Sequence, residues 1–309
     1  LAVISTGRPI QRGHVQPAGI VVRVAASHIR VGTFHLAVQT DYTRQLADYA
    51  IARHYPGADY KELFTQVMDA QIHTVSQWMR LGFIHGVMNT DNTTISGETI
   101  DYGPCAFMEA YSPDTVFSSI DRQGRYAFGN QPSILGWNLA RLAESLLPLF
   151  DMDMNKAMDF AQETINGYTD RFEHHRNKDL AKALDTSLEI ASSYSAAMRL
   201  NGPDITLAHR ALAEAAAGHP TPARELLPEG DFVDEYLASL PDPCCVDRAM
   251  PRVIPRNLAV EAALSSAERG EMGPFRELLD AVTHPWDPHP SFEAPDPYGL
   301  KGYLTYCGT

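Results

Sequence analysis

Cysteine is scarce in this chain, and the few cysteines lack the spacing of a metal-binding or redox motif. The 309 residues contain four of them, Cys105, Cys244, Cys245 and Cys307, and none forms a CxxC pair. Small secreted domains that depend on disulfides carry a much denser set of cysteines. The sequence therefore favours a reducing compartment.

Long apolar runs are missing as well. No stretch reaches the roughly 18 consecutive apolar residues that a transmembrane helix requires, so a membrane span is excluded. Residues 1–19 also lack the charged and then apolar order of a signal peptide. We therefore expect no membrane partner.

Basic residues are also fewer than acidic ones. The chain has 25 Lys and Arg residues against 38 Asp and Glu residues, which gives a formal net charge of −13. Such a field repels nucleic-acid backbones and anionic lipids, so nucleic acid is not expected as a partner. A nucleotide would have to be bound by a few arginines and a metal ion that overcome this charge locally.

The rest of the composition is that of a folded globular protein. Hydrophobic residues make up 44% of the chain and charged residues 20%, which is close to the average for such proteins. A length of 309 residues allows one large domain or two ordinary ones.

Apolar residues at three- and four-residue steps predict that most of the chain is helical. Residues 63–79 give one apolar face over about five turns. A second helical region starts at Pro132, and residues 154–198 are expected to be helical with interruptions near Gly167 and Asn177. The second half of the chain is thus predicted to be mainly α.

Further segments have weaker signals. We expect a short buried strand at residues 20–25, where β-branched residues follow a turn. Thr40 or Asp41 can cap a helix that ends before Pro56. The last helices are predicted at residues 258–269 and 274–282, followed by a proline-rich extended tail from His284.

The polar stretch from His85 to Asn92 is the strongest candidate for a chemical site. We expect a β-hairpin after it, with its turn at Ser96-Gly97 and Asp101 beyond. Asn and Asp oxygens are the ligands that Mg²⁺ or Mn²⁺ prefers, which suits Asn92 and Asp101. Asp91 is then the candidate base for a hydroxyl group. The alternative is an ordinary turn, in which Asp, Asn and Gly bond their own backbone.

The order of residues in this loop is similar to the protein-kinase catalytic loop and its metal-binding triplet. Asp91 and Asn92 are adjacent here instead of several residues apart, which argues against an ordinary protein kinase. The chain resembles the selenoprotein O/YdiU family in long and unusual motifs. They are Arg23–Phe34, His85–Asn92, Thr99–Pro104, Ser118–Asp121, Gly124–Tyr126, Asn130–Pro132, Trp137–Leu139, Ile254–Asn257 and Tyr306–Thr309.

The resemblance implies a fold class of α+β, mainly α: a protein-kinase-like C-lobe with a short β-hairpin carrying the metal-binding Asp and an extended helical C-terminal region. Residues 1–150 would form the kinase-like catalytic core, and residues 151–309 would form that helical region with the proline-rich tail. The implied activity is protein adenylyltransferase, which moves AMP from ATP to Ser, Thr or Tyr hydroxyls of proteins. A location in the cytoplasm is expected, or in the mitochondrion for a eukaryotic source.

Carried over by position, the resemblance implies Asp91 as the catalytic base and Asn92 and Asp101 as ligands of Mg²⁺ or Mn²⁺. Arg23 and Arg30 match the arginines that contact the nucleotide, ATP, which is the substrate. Guanidinium groups hold phosphate oxygens in pairs, so the residue type suits the role. Unaided by the resemblance, two arginines seven residues apart are more typical of a solvated or carboxylate-paired surface.

The chain departs from the family at its start. Residues 1–19 do not supply the glycine-rich segment, the phosphate-binding lysine or its acidic partner, so we expect a fragment that lacks most of the N-terminal lobe and transfers AMP weakly or not at all. The alternatives are a phosphotransferase of the same fold and a non-catalytic module that binds a nucleotide or a partner. A regulatory disulfide between Cys105 and Cys307 is a further hypothesis.

Overall fold

The structure is a computed structural model that describes residues 2–12, 14–296, 300 and 302–306. Helices dominate the described part of the chain. They are α1 (Val31–Gln39), α2 (Thr43–His54), α3 (Tyr60–Leu81), α4 (Gln131–Phe150), α5 (Met154–Asn166), α6 (Tyr168–Ala183), α7 (Leu188–Asn201), α8 (Ile205–Ala216), α9 (Thr221–Leu226), α10 (Phe232–Ala238), α11 (Pro243–Ala249), α12 (Asn257–Glu268), α13 (Gly273–Thr283) and α14 (Pro290–Glu293).

Four strands form two small antiparallel sheets. One pairs β1 (Ala2–Arg12) with β2 (His14–Val22), and the other pairs β3 (Phe83–Ile84) with β4 (Ala106–Phe107). Helices with small antiparallel sheets confirm the expected α+β, mainly α composition. In the described ranges, no helix is long and apolar enough to cross a membrane.

The first sheet is an exposed ribbon, and the prediction of a short buried strand at residues 20–25 is wrong. The strand β2 ends at Val22, and the side chains of Ile20 and Val21 are 56% and 60% exposed. The reason is that β2 pairs with β1 alone, so its β-branched residues gain a strand partner but no apolar cover in the described part of the chain.

Two helix predictions also need correction. The helix expected after a Thr40 or Asp41 cap starts at Thr43, and α1 was not foreseen before it. The interruption near Gly167 is confirmed, but α6 runs without a break through Asn177. The break comes instead at residues 184–187, where Asp185 has a φ of +48° and the Ser187 side chain accepts from the Ile190 amide to begin α7.

The long helix α3 positions the polar loop. At its start the Asp59 side chain accepts from the Glu62 amide, and Glu62 accepts from the Asp59 amide in return. At its end Gly82 has a φ of +73°, and a Cβ there would lie 2.8 Å from the Ile205 side chain. Only glycine adopts this conformation without strain or a steric clash. The turn leads directly into β3 and His85.

Two clusters of buried side chains form the core. One gathers α3 and α4 with the first helices, through residues such as Phe64, Ile72 and Leu139. The other gathers α7 and α8 with β3 and β4, through residues such as Ile84 and Leu212. The polar loop leaves β3, which belongs to the second cluster, and returns over α3. The division into residues 1–150 and 151–309 stays a prediction.

Candidate active site

His85 organises the polar loop from inside the protein. Its side chain is fully buried, its backbone amide donates to Gln131 Oε1 at 3.0 Å, and its Nε2 lies 2.8 Å from the carbonyl oxygen of Ile100. The amide of Val87 donates to its Nδ1 at 3.3 Å. These partners require a neutral ring that donates from Nε2 and accepts at Nδ1. Burial lowers the pKa of His85, in agreement with the neutral form.

Asp91 lies at the start of α1. It belongs to the 3₁₀ turn Thr90–Asn92, in which Asn89 Oδ1 accepts from the Asp91 amide at 3.0 Å. A Cβ added at Gly32, in the first turn of α1, would lie 2.0 Å from Asp91 Oδ1. The carboxylate therefore occupies the space that a larger residue at position 32 would fill. The start of a helix favours a negative charge, and Asp91 is otherwise exposed.

Asn92 is held by the backbone of its own loop. Its Nδ2 donates to the carbonyl oxygen of Val87 at 2.9 Å, so its side-chain oxygen remains the atom that could bind a cation. The buried Asn138 of α4 supports the same loop, since its Nδ2 donates to Met88 O and to Thr93 Oγ1, each at 2.9 Å. These bonds fix the path of the chain on both sides of Asp91.

Asp101 is exposed and has an unusual backbone conformation. Its φ of +58° lies in the left-handed region, which Asp tolerates better than most residues but which still costs energy. The guanidinium carbon of Arg23 lies 5.1 Å from the centroid of the Tyr102 ring, which places Arg23 beside the residue that follows Asp101. His85 contacts Ile100 on the other side.

Helix α3 and Tyr55, the residue that follows α2, hold the segment between Asn92 and Asp101 in place. The side chains of Tyr55 and Gln71 donate to the carbonyl oxygens of Ile95 and Thr94, and Trp78 donates to Thr99 Oγ1 at 3.1 Å. Thr93 and Thr99 form an isolated antiparallel bridge around the predicted turn. A bridge of one residue pair is less than the hairpin that we expected.

The five predicted site residues thus fall into two groups. Arg30 directly precedes α1, whose Gly32 meets the Asp91 side chain, while Arg23 lies over the ring of Tyr102, the residue after Asp101. Asn92 belongs to the first group, and a series of hydrogen bonds through Val87, His85 and Ile100 joins it to the second. In the described ranges, the group of three His, Cys, Asp or Glu ligand atoms close enough for one ion lies elsewhere, on α3 and α6.

Comparison with known proteins decides the family. Residues 1–205 match the family described as "Protein adenylyltransferase SelO". The protein nucleotidyltransferase YdiU of Corynebacterium efficiens is 47% identical over 332 aligned positions, which include all of this chain and 67% of that protein. The chain belongs to the SelO family. The YdiU proteins of Mycolicibacterium paratuberculosis and Cereibacter sphaeroides are each 46% identical, again over all of this chain and over 68% and 69% of their own lengths.

Membership in the SelO family confirms the resemblance and supports a nucleotidyltransferase enzyme. The chain spans about two thirds of the length of these YdiU relatives. No comparison assigns the site residues, so the roles of Asp91, Asn92, Asp101, Arg23 and Arg30 stay predictions.

The C-terminal segment of this SelO-family chain reaches the candidate site. Thr305 Oγ1 donates to the Pro104 carbonyl oxygen at 2.6 Å, next to Cys105. Burial raises the pKa of the Cys105 thiol to about 11, so little reactive thiolate exists at neutral pH. The other member of the hypothetical disulfide, Cys307, lies outside the described residues.

Sequence reasoning missed two residues that build the site, Gln131 and Asn138. Gln131 is fully buried and bonds both Phe83 O and the His85 amide. The two residues are seven positions apart, and so lie on one face of α4 with Leu135 and Leu139. A polar residue on an otherwise apolar helix face indicates a buried hydrogen bond, and that signal could have found both.

Proposed function

We propose that this protein is a protein adenylyltransferase that transfers AMP from ATP to Ser, Thr or Tyr hydroxyls. The observation that carries the proposal is the placement of Asp91 against Gly32 at the start of α1, directly after Arg30. A carboxylate at a helix start that an arginine directly precedes suits a reaction in which a hydroxyl loses its proton beside a phosphate. The similarity to nucleotidyltransferases supports the same reaction class.

The oxygen donors of Asn92 and Asp101 fit a hard divalent cation. The amide nitrogen of Asn92 is engaged with Val87 O, which leaves its oxygen, and the Asp101 carboxylate is exposed. Mg²⁺ or Mn²⁺ binds such oxygens together with substrate phosphates. When bound there, the ion would neutralise phosphate charge.

Each protein group then has one task. Asp91 accepts the proton of the acceptor hydroxyl, whose oxygen forms a bond to the α-phosphorus of ATP. The bond from that phosphorus to the bridging oxygen breaks, and pyrophosphate leaves. Arg23 and Arg30 bind phosphate oxygens through their N–H groups. His85 links the two parts of the site through hydrogen bonds to Ile100 and Val87. It takes no part in proton transfer, because these bonds engage both of its ring nitrogens.

A protein-kinase-like C-lobe is part of the proposal. It is supported by the order of Asp91, Asn92 and Asp101 along the chain and by the bridge between Thr93 and Thr99. The location in the cytoplasm, or in a mitochondrion, is likewise an expectation.

The test uses ATP labelled either at the α-phosphate or at the γ-phosphate, incubated with Mg²⁺, a protein acceptor and this chain. The YdiU protein of Corynebacterium efficiens serves as a parallel sample, because this chain spans about two thirds of its length. Transfer of the α-label supports the proposal. Transfer of the γ-label instead would assign a phosphotransferase, and nucleotide binding without transfer in both proteins would assign a binding module.

A further inference from the structure

A second cluster of metal-ligand side chains lies between α3 and α6. His73 of α3 and His175 and Asp179 of α6 each offer one ligand atom, and the three atoms all lie within 4.8 Å of one another. His175 and Asp179 are four residues apart and so project from one face of α6. Two imidazoles and one carboxylate are typical ligands of Zn²⁺ and related transition-metal ions.

His175 and Asp179 are arranged as two ligands of a common ion would be. His175 Nδ1 lies 3.3 Å from Asp179 Oδ2, yet this buried nitrogen makes no hydrogen bond in the structure. Ligand atoms of a tetrahedral ion with bonds of about 2.0 Å are separated by about 3.3 Å. The exposed side chain of His73 can rotate to complete the set.

Neighbouring side chains of α3 hold the carboxylate in place. Asp179 Oδ2 accepts hydrogen bonds from Ser76 Oγ at 3.2 Å and from Gln77 Nε2 at 2.8 Å. Both bonds reach Oδ2, the oxygen that lies 3.3 Å from His175 Nδ1, and so fix its position. Such supporting bonds orient a ligand and raise the affinity of a metal site.

A cavity of about 690 Å³ opens beside His73 and Asp179. Three protein ligands leave one coordination position for water or a small molecule, and the cavity gives that position access to solvent. Arg80 and Lys182 also line the cavity. Their positive charge opposes any cation, so an ion that forms strong bonds to imidazole nitrogen suits this site better than one that relies on carboxylate charge.

We propose that His73, His175 and Asp179 bind a transition-metal ion of the Zn²⁺ type, at a site separate from Asn92 and Asp101. The proposal is independent of AMP transfer, because no residue of the polar loop is part of it. The three side chains come from two packed helices, so the ion would tie α3 to α6.

The test is a titration of the untagged chain with Zn²⁺ by calorimetry, and with Co²⁺ by visible absorption. We expect binding of one ion, and a loss of affinity of at least about 10-fold in His73→Ala, in His175→Ala and in Asp179→Asn. The matched control is His174→Ala, which removes an exposed histidine adjacent to the site on the same helix. It should bind as tightly as the unsubstituted chain.

Unchanged affinity in His73→Ala and His175→Ala would overturn the proposal, as would an equal loss in His174→Ala. Because His73 is exposed, its replacement carries the test even if the α6 variants fail to fold. Asp101→Asn should retain the Zn²⁺ affinity. A loss of affinity there would place the ion at the polar loop and contradict the separate site.

Discussion

The polar loop and the N-terminal ribbon are both irregular segments outside the helices, but they are held in opposite ways. The ribbon of β1 and β2 satisfies its backbone through its own strand pairing, and its apolar side chains remain exposed, with Val15 at 67%. The polar loop and residues 93–99 after it have two isolated bridges, Arg30 with Thr94 and Thr93 with Thr99. Its position comes from its own buried His85 and from buried side chains of the surrounding helices, such as Gln71 and Asn138.

This difference teaches that backbone pairing and fixed position are separate properties. A regular ribbon without apolar cover is free to move as a unit, because nothing buried opposes the motion. An irregular loop in which buried donors bind several carbonyl oxygens is pre-organised, which is what a site for group transfer requires. Substitutions in the two segments should therefore have very different effects.

The largest expected effect is that of Asp91→Asn. Removing the proton acceptor should lower AMP transfer by about 10³-fold, while stability changes little because the side chain is exposed. The measurement is transfer of the α-label by this chain, and by Corynebacterium efficiens YdiU substituted at the aligned position. Full activity of the variant would remove Asp91 from the mechanism.

Gly32→Ala should displace the Asp91 carboxylate without lowering the stability of the fold. The new methyl group would lie 2.0 Å from Asp91 Oδ1, so the carboxylate must move, and a displacement of about 1 Å can cost about 10²-fold in rate. Alanine also favours the helix, so stability should be retained. In the control Gly167→Ala the methyl group meets nothing closer than 3.6 Å. Equal activity of both variants would contradict the contact.

Asn138→Ala should destabilise the fold through the loop. It removes two hydrogen bonds, to Met88 O and Thr93 Oγ1, and leaves a buried carbonyl oxygen without that donor, at a cost of about 2 kcal/mol. Urea unfolding measures the loss. Asn166→Ala, at an exposed helix end, is the control and should stay within about 0.5 kcal/mol. A similar small change in Asn138→Ala would show that the loop is not held from α4.

Acid should weaken the helical core more than the ribbon. Burial lowers the pKa of His209 from 6.5 to about 3, so between these values the unfolded chain takes up a proton that the folded chain does not. The free energy of unfolding then falls with falling pH by up to about 1.4 kcal/mol per pH unit. His209→Phe should reduce this slope, and the exposed control His219→Phe should not. An unchanged slope in His209→Phe would contradict burial of a neutral ring.

The smallest effect is expected in the ribbon. Val15→Ser replaces a side chain that is 67% exposed, and its free energy of unfolding should change by less than about 0.5 kcal/mol. The buried counterpart Val67→Ser in α3 should lose several times more. If Val15→Ser cost more than about 1 kcal/mol, the ribbon would be covered in solution, and the contrast with the loop would fail.

The sequence predicts the parts of the fold that have a strong period. The apolar face of residues 63–79 becomes α3, and Pro132 marks the first turn of α4. The sequence does not predict whether β-branched residues are buried. The local pattern around Ile20 and Val21 would be the same in a buried strand and in an exposed one. The break between α6 and α7 depends on capping by Ser187. From the sequence alone Asn177 is the more obvious helix-ending residue, so the break is expected there instead.

The residues of the candidate site could be predicted from the sequence, but the residues that hold them in position could not. Asp91, Asn92 and Asp101 stand out as a dense polar group, and their motifs identify the family. Gly32 and Asn138 contribute through contacts between segments far apart in the chain, and a periodicity argument does not reach that far. The prediction of a hairpin was too regular, because Thr93 and Thr99 make a single bridge.

The last turns of α3 leave little of the helix surface uncommitted. Gln71, Thr74 and Trp78 bond the segment around residues 94–99, and Ser76 and Gln77 bond Asp179 of α6. Ile72 and Val75 are core, and His73 belongs to the proposed metal site. In a library of all single substitutions, this stretch should tolerate the fewest changes outside the catalytic carboxylates. Drift in its sequence would then be slow even where no residue touches the nucleotide.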